Sequence, residues 1–564
     1  MSAIAARVAN NLDIWTSAIQ RKSGAGRGGG SKRISLYGIE RLRALILELA
    51  VRGRLVPQDA GDEPAEALLR RIAEGRTVAT PVDVSAEKLK LPRGWVQVTM
   101  QDIGETFIGL TYSPKDVSDV GIPVLRSSNV QGGVIDLSDL VRVRSAVRPK
   151  LLVDNGDILI CVRNGSRALV GKCATIEGLS EPTTFGAFMA IFKSPINSYV
   201  KVFLESPLFR KLLLGVETTT INQITQSNLK STLLPLPPLA EQRRIVAKVD
   251  ELTALCDALE RESADAIAAH QALVEALLAT LVNSTDTADL ATNWARLETH
   301  FDTLFTTDAS IEALKQTILD LAVRGKLVEQ DSADKDATVI LAEVQKLMGA
   351  KGLLDRKPNN EIRKSELPFG IPQSWTWVRL GSFVKLWNGF AFKSNDFRSD
   401  GVPVIRIGDL QNGEVNTTAA MCVPEEVAKQ TRPQFWIPEN ALLIAMSGAT
   451  TGKTAFNRTG QRLLLNQRVG MLEIFAGEQQ YVRYFFETIV AHNLAISAGS
   501  AIPNLSAEQI NGTWFPLPPL AEQRRIVTKV DTLLALCDRL KSRVADAAQT
   551  QRHLADSITE RAAA

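Results

Sequence analysis

The chain has few residues of the kinds that build metal sites and disulfide frameworks. Among 564 residues there are five cysteines and four histidines. Cys161, Cys173, Cys256, Cys422 and Cys537 lie far apart and form no C-x-x-C pair, and no histidine has a ligand spacing. A zinc site or a disulfide framework therefore has little support, and we expect no metal on this chain. On the helices expected around them, Cys256 and Cys537 are most simply small buried apolar residues.

Long apolar runs are also scarce. No run in the sequence approaches the roughly 18 apolar residues that a membrane span requires, and the N-terminus lacks the apolar core of a secretory signal. We therefore expect a cytoplasmic protein with no membrane partner.

Excess charge of one sign is missing too, since the net charge is only +3. Its distribution is more informative. Residues 1–55 hold ten Lys and Arg against three Asp and Glu, and Arg142, Arg144, Arg148 and Lys150 form a second basic group. Such groups could neutralise phosphates or form a solvated face, and both interpretations remain open.

The most informative feature is an internal repeat. Residues 235–257 read PLPPLAEQRRIVAKVDELTALCD and residues 516–538 read PLPPLAEQRRIVTKVDTLLALCD, with differences only at positions 247, 251 and 253. The offset of 281 residues nearly halves the chain. A repeat of this length indicates that the chain is built twice from one plan, with a pseudo-two-fold symmetry.

Shorter segments extend the repeat in the same order. ILELAVRGRLV at 46–56 returns as ILDLAVRGKLV at 318–328. Two further pairs follow: LPRGW at 91–95 with IPQSW at 371–375, and GIPVLRSSNVQGG at 121–133 with GVPVIRIGDLQNG at 401–413. Between these anchors, 134–220 and 414–501 diverge strongly. Inserts that differ on a repeated scaffold are expected if they recognise different things, although drift in loops is the alternative.

Each PLPPLAEQ segment predicts the start of a long helix. Paired prolines suit a helix entry, and Glu241 and Glu522 fall where an acidic side chain meets the positive N-terminus. Apolar residues then recur at alternating three- and four-residue steps, as in a coiled-coil seam. We expect about 40 residues, or roughly 60 Å, per helix, paired antiparallel, although separate packing on each domain remains possible. The seam comprises Ile245, Val249, Leu252, Cys256, Leu259, Ala266 and Leu273 in one helix and Ile526, Val530, Leu533, Cys537, Leu540, Val544, Ala547, Leu554 and Ile558 in the other.

The segments between these anchors are predicted to be mixed α and β heads. Residues 158–162 and 442–445 have the pattern of buried strands, while 199–214 and 478–494 have helical periodicity. The fold class is thus α+β: two globular mixed α/β domains separated by a pair of long antiparallel coiled-coil helices. The expected organisation is an N-terminal helical region 1–90 with a flexible glycine-rich basic loop at 21–33, a first head 91–233, a central region 234–365 with a helix at about 239–283, a second head 366–514, and a C-terminal helix 515–564.

Together these segments resemble the specificity subunits of type I restriction-modification systems. In that family two target-recognition domains alternate with repeated helical regions. The resemblance rests on PLPPLAEQRRIV closing each head, LAVRGKLV before each head, and the segments at 91–95, 121–133, 371–375 and 401–413 opening them. It covers essentially the whole chain, and the motifs together are very specific.

The resemblance implies that each domain reads one half of a bipartite double-stranded DNA site and that the helices set the gap. It also implies two modification (methyltransferase) subunits that use S-adenosylmethionine for adenine methylation, and restriction (motor-nuclease) subunits that use ATP and Mg. Removal of the target base from the duplex would fall to the modification subunit. No cofactor is expected on this chain.

The residues themselves offer no convincing catalytic site. SGATTGKT at 447–454 resembles a phosphate-binding loop, but Ser447 stands where the motif requires glycine, and the repeat copy ends in Cys173. No methyltransferase motif, nuclease acid cluster or Ser/His/Asp set is apparent. We therefore expect a non-enzymatic subunit. Two other classes remain open: a helical assembly scaffold without DNA recognition, and a stand-alone DNA-binding protein or anti-restriction decoy.

DNA contacts are expected from Arg for guanine, Asn or Gln for adenine, and Ser, Thr or Lys for phosphate. For each candidate alone a solvated or structural role is as plausible. Positions that are the same in both heads, such as Arg126 with Arg406, favour scaffold or phosphate roles, whereas Asn164 and Arg167 diverge and favour specificity. The candidates are Lys115, Arg126, Ser127, Asn129, Gln131, Arg163, Asn164, Ser166, Arg167, Thr218, Thr220, Asn222 and Gln223 in the first head, and Lys385, Lys393, Arg406, Asp409, Gln411, Asn412, Ser447, Thr450, Thr451, Lys453 and Asn504 in the second.

Overall fold

The computed structural model divides the chain into two units. The first comprises Met1–Ala266 and Asp546–Ala564, and the second Ile267–Ala545. The structure describes residues 11–22, 33–74, 90–214, 223–353, 367–448, 451–496 and 505–563.

In the first unit, the head contains two small sheets around one core. One sheet has four strands in the order Cys173–Thr175, Ile158–Cys161, Met189–Lys193 and Glu105–Ile108, all antiparallel. In the other sheet Thr184–Phe185 pairs in parallel with Ile122–Leu125. The core between them includes Leu125, Leu159, Phe185, Met189 and Ile191. The remaining strands of this unit are Gln20–Lys22, Arg33–Ser35, Val96–Thr99, Val117–Ser118, Val130–Gln131, Val134–Ile135, Val141–Val143 and Leu233–Leu236.

The second head repeats this plan with a larger sheet. Among the described residues six strands run in the order Val384–Asn388, Val469–Ile474, Leu442–Ala445, Thr454–Phe456, Glu414–Val415 and Leu410–Gln411. Its second sheet again contains a parallel pair, here Val402–Ile405 with Leu463–Leu465. The predicted buried strands at 158–162 and 442–445 are confirmed as Ile158–Cys161 and Leu442–Ala445. The other strands are Cys422–Val423, Trp436–Ile437, Thr376–Arg379 and Trp514–Leu517.

Helices carry the rest of both units. The two long ones are Leu239–Val282 and Leu520–Ala563, each of 44 residues, as the repeat predicts. The shorter helices of the first unit are Leu12–Ser17, Tyr37–Val51, Ala65–Ala73, Met100–Ile103, Asn197–Glu205, Pro207–Leu214 and Gln226–Ser231. Those of the second are Thr287–Thr299, Phe301–Leu304, Asp308–Val323, Ala337–Ala350, Glu425–Lys429, Gln479–Ile496 and Ala507–Gly512.

The helical periodicity predicted over 199–214 is confirmed, but the segment forms two helices, because Pro207 starts a new one and Ser206 before it is extended, with φ −72° and ψ 153°. The flexible loop predicted over 21–33 was wrong at both ends, since Gln20–Lys22 pairs antiparallel with Arg33–Ser35. Residues 23–32 lie outside the described part of the chain.

Each long helix begins at a buried joint that brings two of the repeated motifs together. Trp95 donates its indole N–H to Glu241 Oε2 at 2.9 Å, and Gln58 donates to Glu241 Oε1 at 2.5 Å. Trp375 and Gln330 make the same contacts to Glu522, at 2.8 and 2.5 Å. The acidic residues thus lie at helix N-termini as predicted, and they also anchor the tryptophan of the segment that opens each head.

The strands that enter and leave each head pair with one another beside this joint. Val96–Thr99 is antiparallel to Leu233–Leu236, and Thr376–Arg379 to Trp514–Leu517. Tyr199 then donates to Pro235 O at 2.7 Å. Both connections of a head therefore lie side by side at its base.

The LAVRG segments end the helices Tyr37–Val51 and Asp308–Val323. Gly53 and Gly325 adopt φ of +65° and +69°, a left-handed conformation that suits glycine at a helix C-terminus. An added Cβ would collide with the side chain of Pro92 or Pro372, respectively. The glycines therefore allow the helix end to pack against the segment that opens the head.

The same two helices contact the long helices through matching ion pairs. In the first unit Arg43 Nη2 lies 2.5 Å from Asp257 Oδ1, and in the second Lys315 Nζ lies 2.5 Å from Asp538 Oδ1. The last part of helix 520–563 also packs in the first unit, where Asp556 accepts from Tyr37 at 2.7 Å.

The long helices also supply apolar core to the second unit. Val274 and Leu278, near the end of one helix, belong to the same cluster as Ile526 and Val530, near the start of the other. The end of one helix and the start of the other thus lie in one unit, the order of an antiparallel pair.

Helix Leu239–Val282 is long and apolar enough, by length and composition alone, to cross a membrane, although the sequence showed no uninterrupted apolar run. Its most apolar 18-residue window has a mean hydropathy of 1.4 and is 17% buried. Val274, Leu278 and Leu281 are nevertheless buried. Their burial explains part of this apolar composition as core packing.

Candidate nucleic-acid interface

A tight turn between two core strands presents side chains on the surface of the first head. Residues 186–189 form it, with Met189 N–H donating to Gly186 O at 2.8 Å. Val162 N–H and Arg163 N–H donate to Phe188 O at 3.0 and 3.1 Å. These bonds hold the backbone of the turn against the strand end that follows Cys161.

Beside this turn lies an open cleft of about 980 Å³. Four predicted DNA-contacting residues line it: Arg126, Ser127, Arg163 and Asn164. The structure also places there two aromatic residues that sequence reasoning missed, Tyr112 and Phe188. The cleft therefore combines cations, amide and hydroxyl groups, and aromatic rings.

Arg163 and Phe188 contact each other on the wall of the cleft. The guanidinium carbon of Arg163 lies 5.1 Å from the centroid of the Phe188 ring, within the range of a cation–π contact. Phe188 is 57% exposed. None of the described carboxylates forms a salt bridge with Arg163, so its guanidinium donors remain accessible to a ligand.

Asn164 and Ser127 fix the loop behind this pair. Asn164 Nδ2 donates to Ser127 Oγ at 3.0 Å, and Asn164 Oδ1 accepts from Ser166 N–H at 3.0 Å. The loop shape is thereby set before any ligand is bound.

Several other candidates have structural contacts. Asn129 is 2% exposed, accepts from Arg126 N–H and donates to the carbonyls of Asp136 and Asp139. Its counterpart Asp409 is also buried and accepts from Arg406 N–H at 2.8 Å. These two side chains shape the turn that carries Arg126 or Arg406.

Gln131, Gln411 and Asn412 likewise support turns. Gln131 donates to Ser128 O at 2.7 Å, and Gln411 donates to Gly408 O at 3.0 Å. Asn412 has φ of 51°, a left-handed conformation in the tight hairpin after Gln411. DNA contact by any of them stays a prediction.

The remaining candidates lie outside this cleft or outside the described residues. Lys115, Ser166, Arg167, Lys393 and Lys453 are exposed, whereas Lys385 is half-buried in a strand opposite Glu473. Within the basic group, Arg142 forms a two-bond ion pair with Glu181 at 2.6 and 2.8 Å. Thr218, Thr220, Asn222, Thr450 and Asn504 lie outside the described part of the chain, and the phosphate-loop-like segment around Ser447 is described only in part.

The second head builds the same turn from different side chains. Val469 N–H donates to Asn466 O at 2.9 Å, and Met446 N–H donates to Arg468 O at 2.9 Å. Arg468 thus occupies the position of Phe188, and Ser447 that of Arg163. The replacement of Phe188 by Arg468 follows from the strand register of the two heads and is not evident from their sequence similarity.

The sequence of each half matches one family model. The "Type I restriction modification DNA specificity domain" matches residues 92–269 and again 372–547. The chain belongs to this family. Each specificity domain therefore includes one head, the joint at its base and the first part of a long helix.

Named relatives extend over the whole chain. The EcoAI specificity subunit of Escherichia coli is 35% identical, covering 98% of this chain and 99% of the relative. The EcoEI specificity subunit, also from Escherichia coli, is 32% identical over the same shares. A solved chain from work on assembly and conformational transition of the type I R-M system has a TM-score of 0.50 at 19% identity, covering 84% of this chain and 98% of its own length. The last likeness shows a shared fold.

Proposed function

We propose that this chain is the DNA-recognition subunit of a type I restriction-modification complex in which each head reads one half of a bipartite site. The observation that carries the proposal is the double specificity domain. In each domain the same backbone turn is bonded to a strand end, with Phe188 on the turn beside Arg163 in one head and Arg468 on the turn in the other. A constant frame with exchanged side chains suits two different half-sites.

The chemistry belongs to partner subunits under this proposal. Two modification subunits would bring S-adenosylmethionine and methylate adenine, and restriction subunits would bring ATP and Mg. This chain would hold the DNA in register without catalysing a step itself, in the cytoplasm. Support comes from the names of its relatives, which are specificity subunits.

Repeated apolar side chains on the long helices mark a surface where partners would dock. Leu255 and Leu536 occupy equivalent repeat positions and are 54% and 47% exposed. Leu273 and Leu554 form a second equivalent pair. The prediction that they lie in the apolar seam was wrong, since they are 53% and 46% exposed. Residues 18 apart lie five turns apart on one helix face. Equivalent surfaces on both helices suit two copies of one partner.

Methylation sequencing tests the recognition role directly. Cells carrying this gene with its neighbouring methyltransferase gene are compared with cells that lack only this chain. We expect a bipartite methyladenine motif that disappears without the chain. If no motif depends on the chain, the recognition role fails and the scaffold interpretation gains support.

Docking is tested by copurification of the methyltransferase with Leu255→Glu, Leu536→Glu and the double variant. Each single variant should retain one methyltransferase per chain and the double variant none, because a buried charge opposes association. Val339→Glu, at another exposed helix position that is 50% accessible, is the control. Two methyltransferases on the double variant would exclude this surface.

A further inference from the structure

The turn at 186–189 and its counterpart at 466–469 have the same backbone hydrogen bonds but different side chains. In addition to the bonds described above, Ala187 N–H donates to Leu110 O at 2.9 Å, and Gln467 N–H donates to Phe390 O at 2.9 Å. Gly109 allows close approach on one side, since an added Cβ would collide with Gly186 O. These contacts hold the backbone of the turn in one position relative to the neighbouring strand ends.

Exposure of Phe188 alone would carry little weight, because single exposed apolar residues are common. This ring, however, lies on a braced turn, beside a cleft, and under a guanidinium. An aromatic ring that stacks on arginine restricts the orientation of the guanidinium and leaves its edge free to donate. The contact with Phe188 therefore limits the positions of the Arg163 guanidinium, whose N–H donors stay exposed.

We propose that Arg163 and Phe188 are the base-reading pair of the first head: Arg163 donates to O6 and N7 of a guanine in the major groove, and Phe188 covers the methyl group of a neighbouring thymine. Arginine with two bonds to guanine is the commonest specific base contact, and phenylalanine is suited to the thymine methyl. This inference rests on the proposed function and assigns its specificity to particular side chains.

In the second head the base-reading residue lies on the turn. Arg468 takes the position of Phe188 and is exposed, and no described carboxylate forms a salt bridge with it. Ser447 replaces Arg163, and its Oγ is buried with no hydrogen-bond partner among the described residues. The guanine-reading cation of the second head is thus Arg468, and it projects from the turn itself.

Exchange of the pair tests the assignment in the intact complex. Arg163→Ser combined with Phe188→Arg places the side chains of the second head on the first. Methylation sequencing should show altered bases in one half of the motif, with the other half unchanged. Val134→Ala, at a position 64% exposed on the same head and outside the cleft, should leave the whole motif unchanged.

A binding measurement distinguishes base reading from phosphate contact and does not depend on methylation by the exchanged variant. The native complex is titrated with a duplex carrying its motif and with one in which the guanine of this half-site is 7-deazaguanine, which lacks N7. A complete two-bond contact is worth roughly 5- to 150-fold in affinity. Because O6 remains as an acceptor, the native affinity should fall by a part of that range. Arg163→Ser, which removes the guanidinium donors, should bind both duplexes with nearly equal affinity.

The outcomes separate this inference from the proposed function. If the native chain directs no motif, the recognition role fails and this assignment fails with it. A native motif that the pair exchange leaves unaltered overturns only the assignment. A native complex that binds both duplexes with equal affinity, or Arg163→Ser that weakens all sequences equally and lowers the salt slope by about 0.9, would also overturn it by indicating a phosphate contact.

Discussion

Trp95 Nε1 lies 2.9 Å from Glu241 Oε2 although 146 residues separate them in sequence. The bond ties the segment that opens the first head to the helix that follows it. Because the entering and leaving strands also pair there, the head is attached to its helix through one compact base. Replacement of a head between these strands would leave the joint intact.

Loss of the indole donor should loosen one unit and spare the other. Trp95→Phe leaves a buried carboxylate without one hydrogen bond, which should cost about 1.5–3 kcal/mol. Hydrogen exchange should accelerate in peptides covering residues 91–100 and 233–245. Trp375→Phe is the matched variant and should affect 371–380 and 514–526. Equal acceleration in both units by either variant would contradict this local role.

The carboxyl of Glu241 should make the first unit more stable as the pH falls. Burial raises the pKa of Glu241 above its ordinary value of 4.5, although the bonds from Trp95 and Gln58 oppose the shift. The folded state therefore binds this proton more tightly than the unfolded state. Its contribution to stability is fully present below pH 4.5 and is lost as the pH rises through the raised pKa.

Glu241→Gln removes this titration, and Gln58 can reverse its amide to accept from the new side chain. Wild type and variant are compared at pH 5 and pH 7 by exchange protection of the first unit. The stability of the wild type relative to the variant should be greater at pH 5. A difference that does not change with pH would mean that Glu241 does not titrate in this window.

Alanine substitutions at Gly325 and Gly352 distinguish the cost of backbone strain from the cost of a steric conflict. Both glycines have a left-handed φ, +69° and +67°, but only Gly325 faces Pro372, whereas a Cβ at Gly352 meets no described atom within 4 Å. Gly352→Ala should cost about 1–2 kcal/mol for the backbone alone. Gly325→Ala should add about 1–3 kcal/mol of overpacking. Exchange protection of the second unit measures both, and equal costs would argue against the contact with Pro372.

Lengthening the two long helices together tests whether they set the gap between half-sites. Seven residues inserted after Ala266 and after Ala547, equivalent repeat positions, add about 10.5 Å to each helix and preserve the heptad register. The gap in the methylated motif should grow by about three base pairs at 3.4 Å each, with both half-sites unchanged. An unaltered gap would show that an element other than the long helices sets the distance between the half-sites.

Local signals in the sequence were enough for the long helices. Proline pairs, Glu241 and the apolar seam predicted a helix at about 239–283, and Leu239–Val282 is observed. The break at Pro207 was also readable, because proline disfavours a helical residue before it.

Contacts between distant segments could not be predicted in this way. The partners of Glu241 depend on the sheet that brings Trp95 beside it. Phe188 lies in a segment where the two heads have no evident sequence similarity, so its exchange for Arg468 appears only when strand register aligns them. Asn129 has a side chain suited to adenine, but its burial in a turn reflects the tertiary fold.

The C-terminal residues Asp546–Ala564 belong to the first unit, and this has a consequence for synthesis on the ribosome. Tyr37 and Arg41 contact Asp556 at 2.7 and 2.8 Å, and they cannot form these contacts until Asp556 has been synthesised. Domains usually fold in the order in which they emerge. Here the half that emerges first is completed last, so a premature stop late in the message would damage the beginning of the protein.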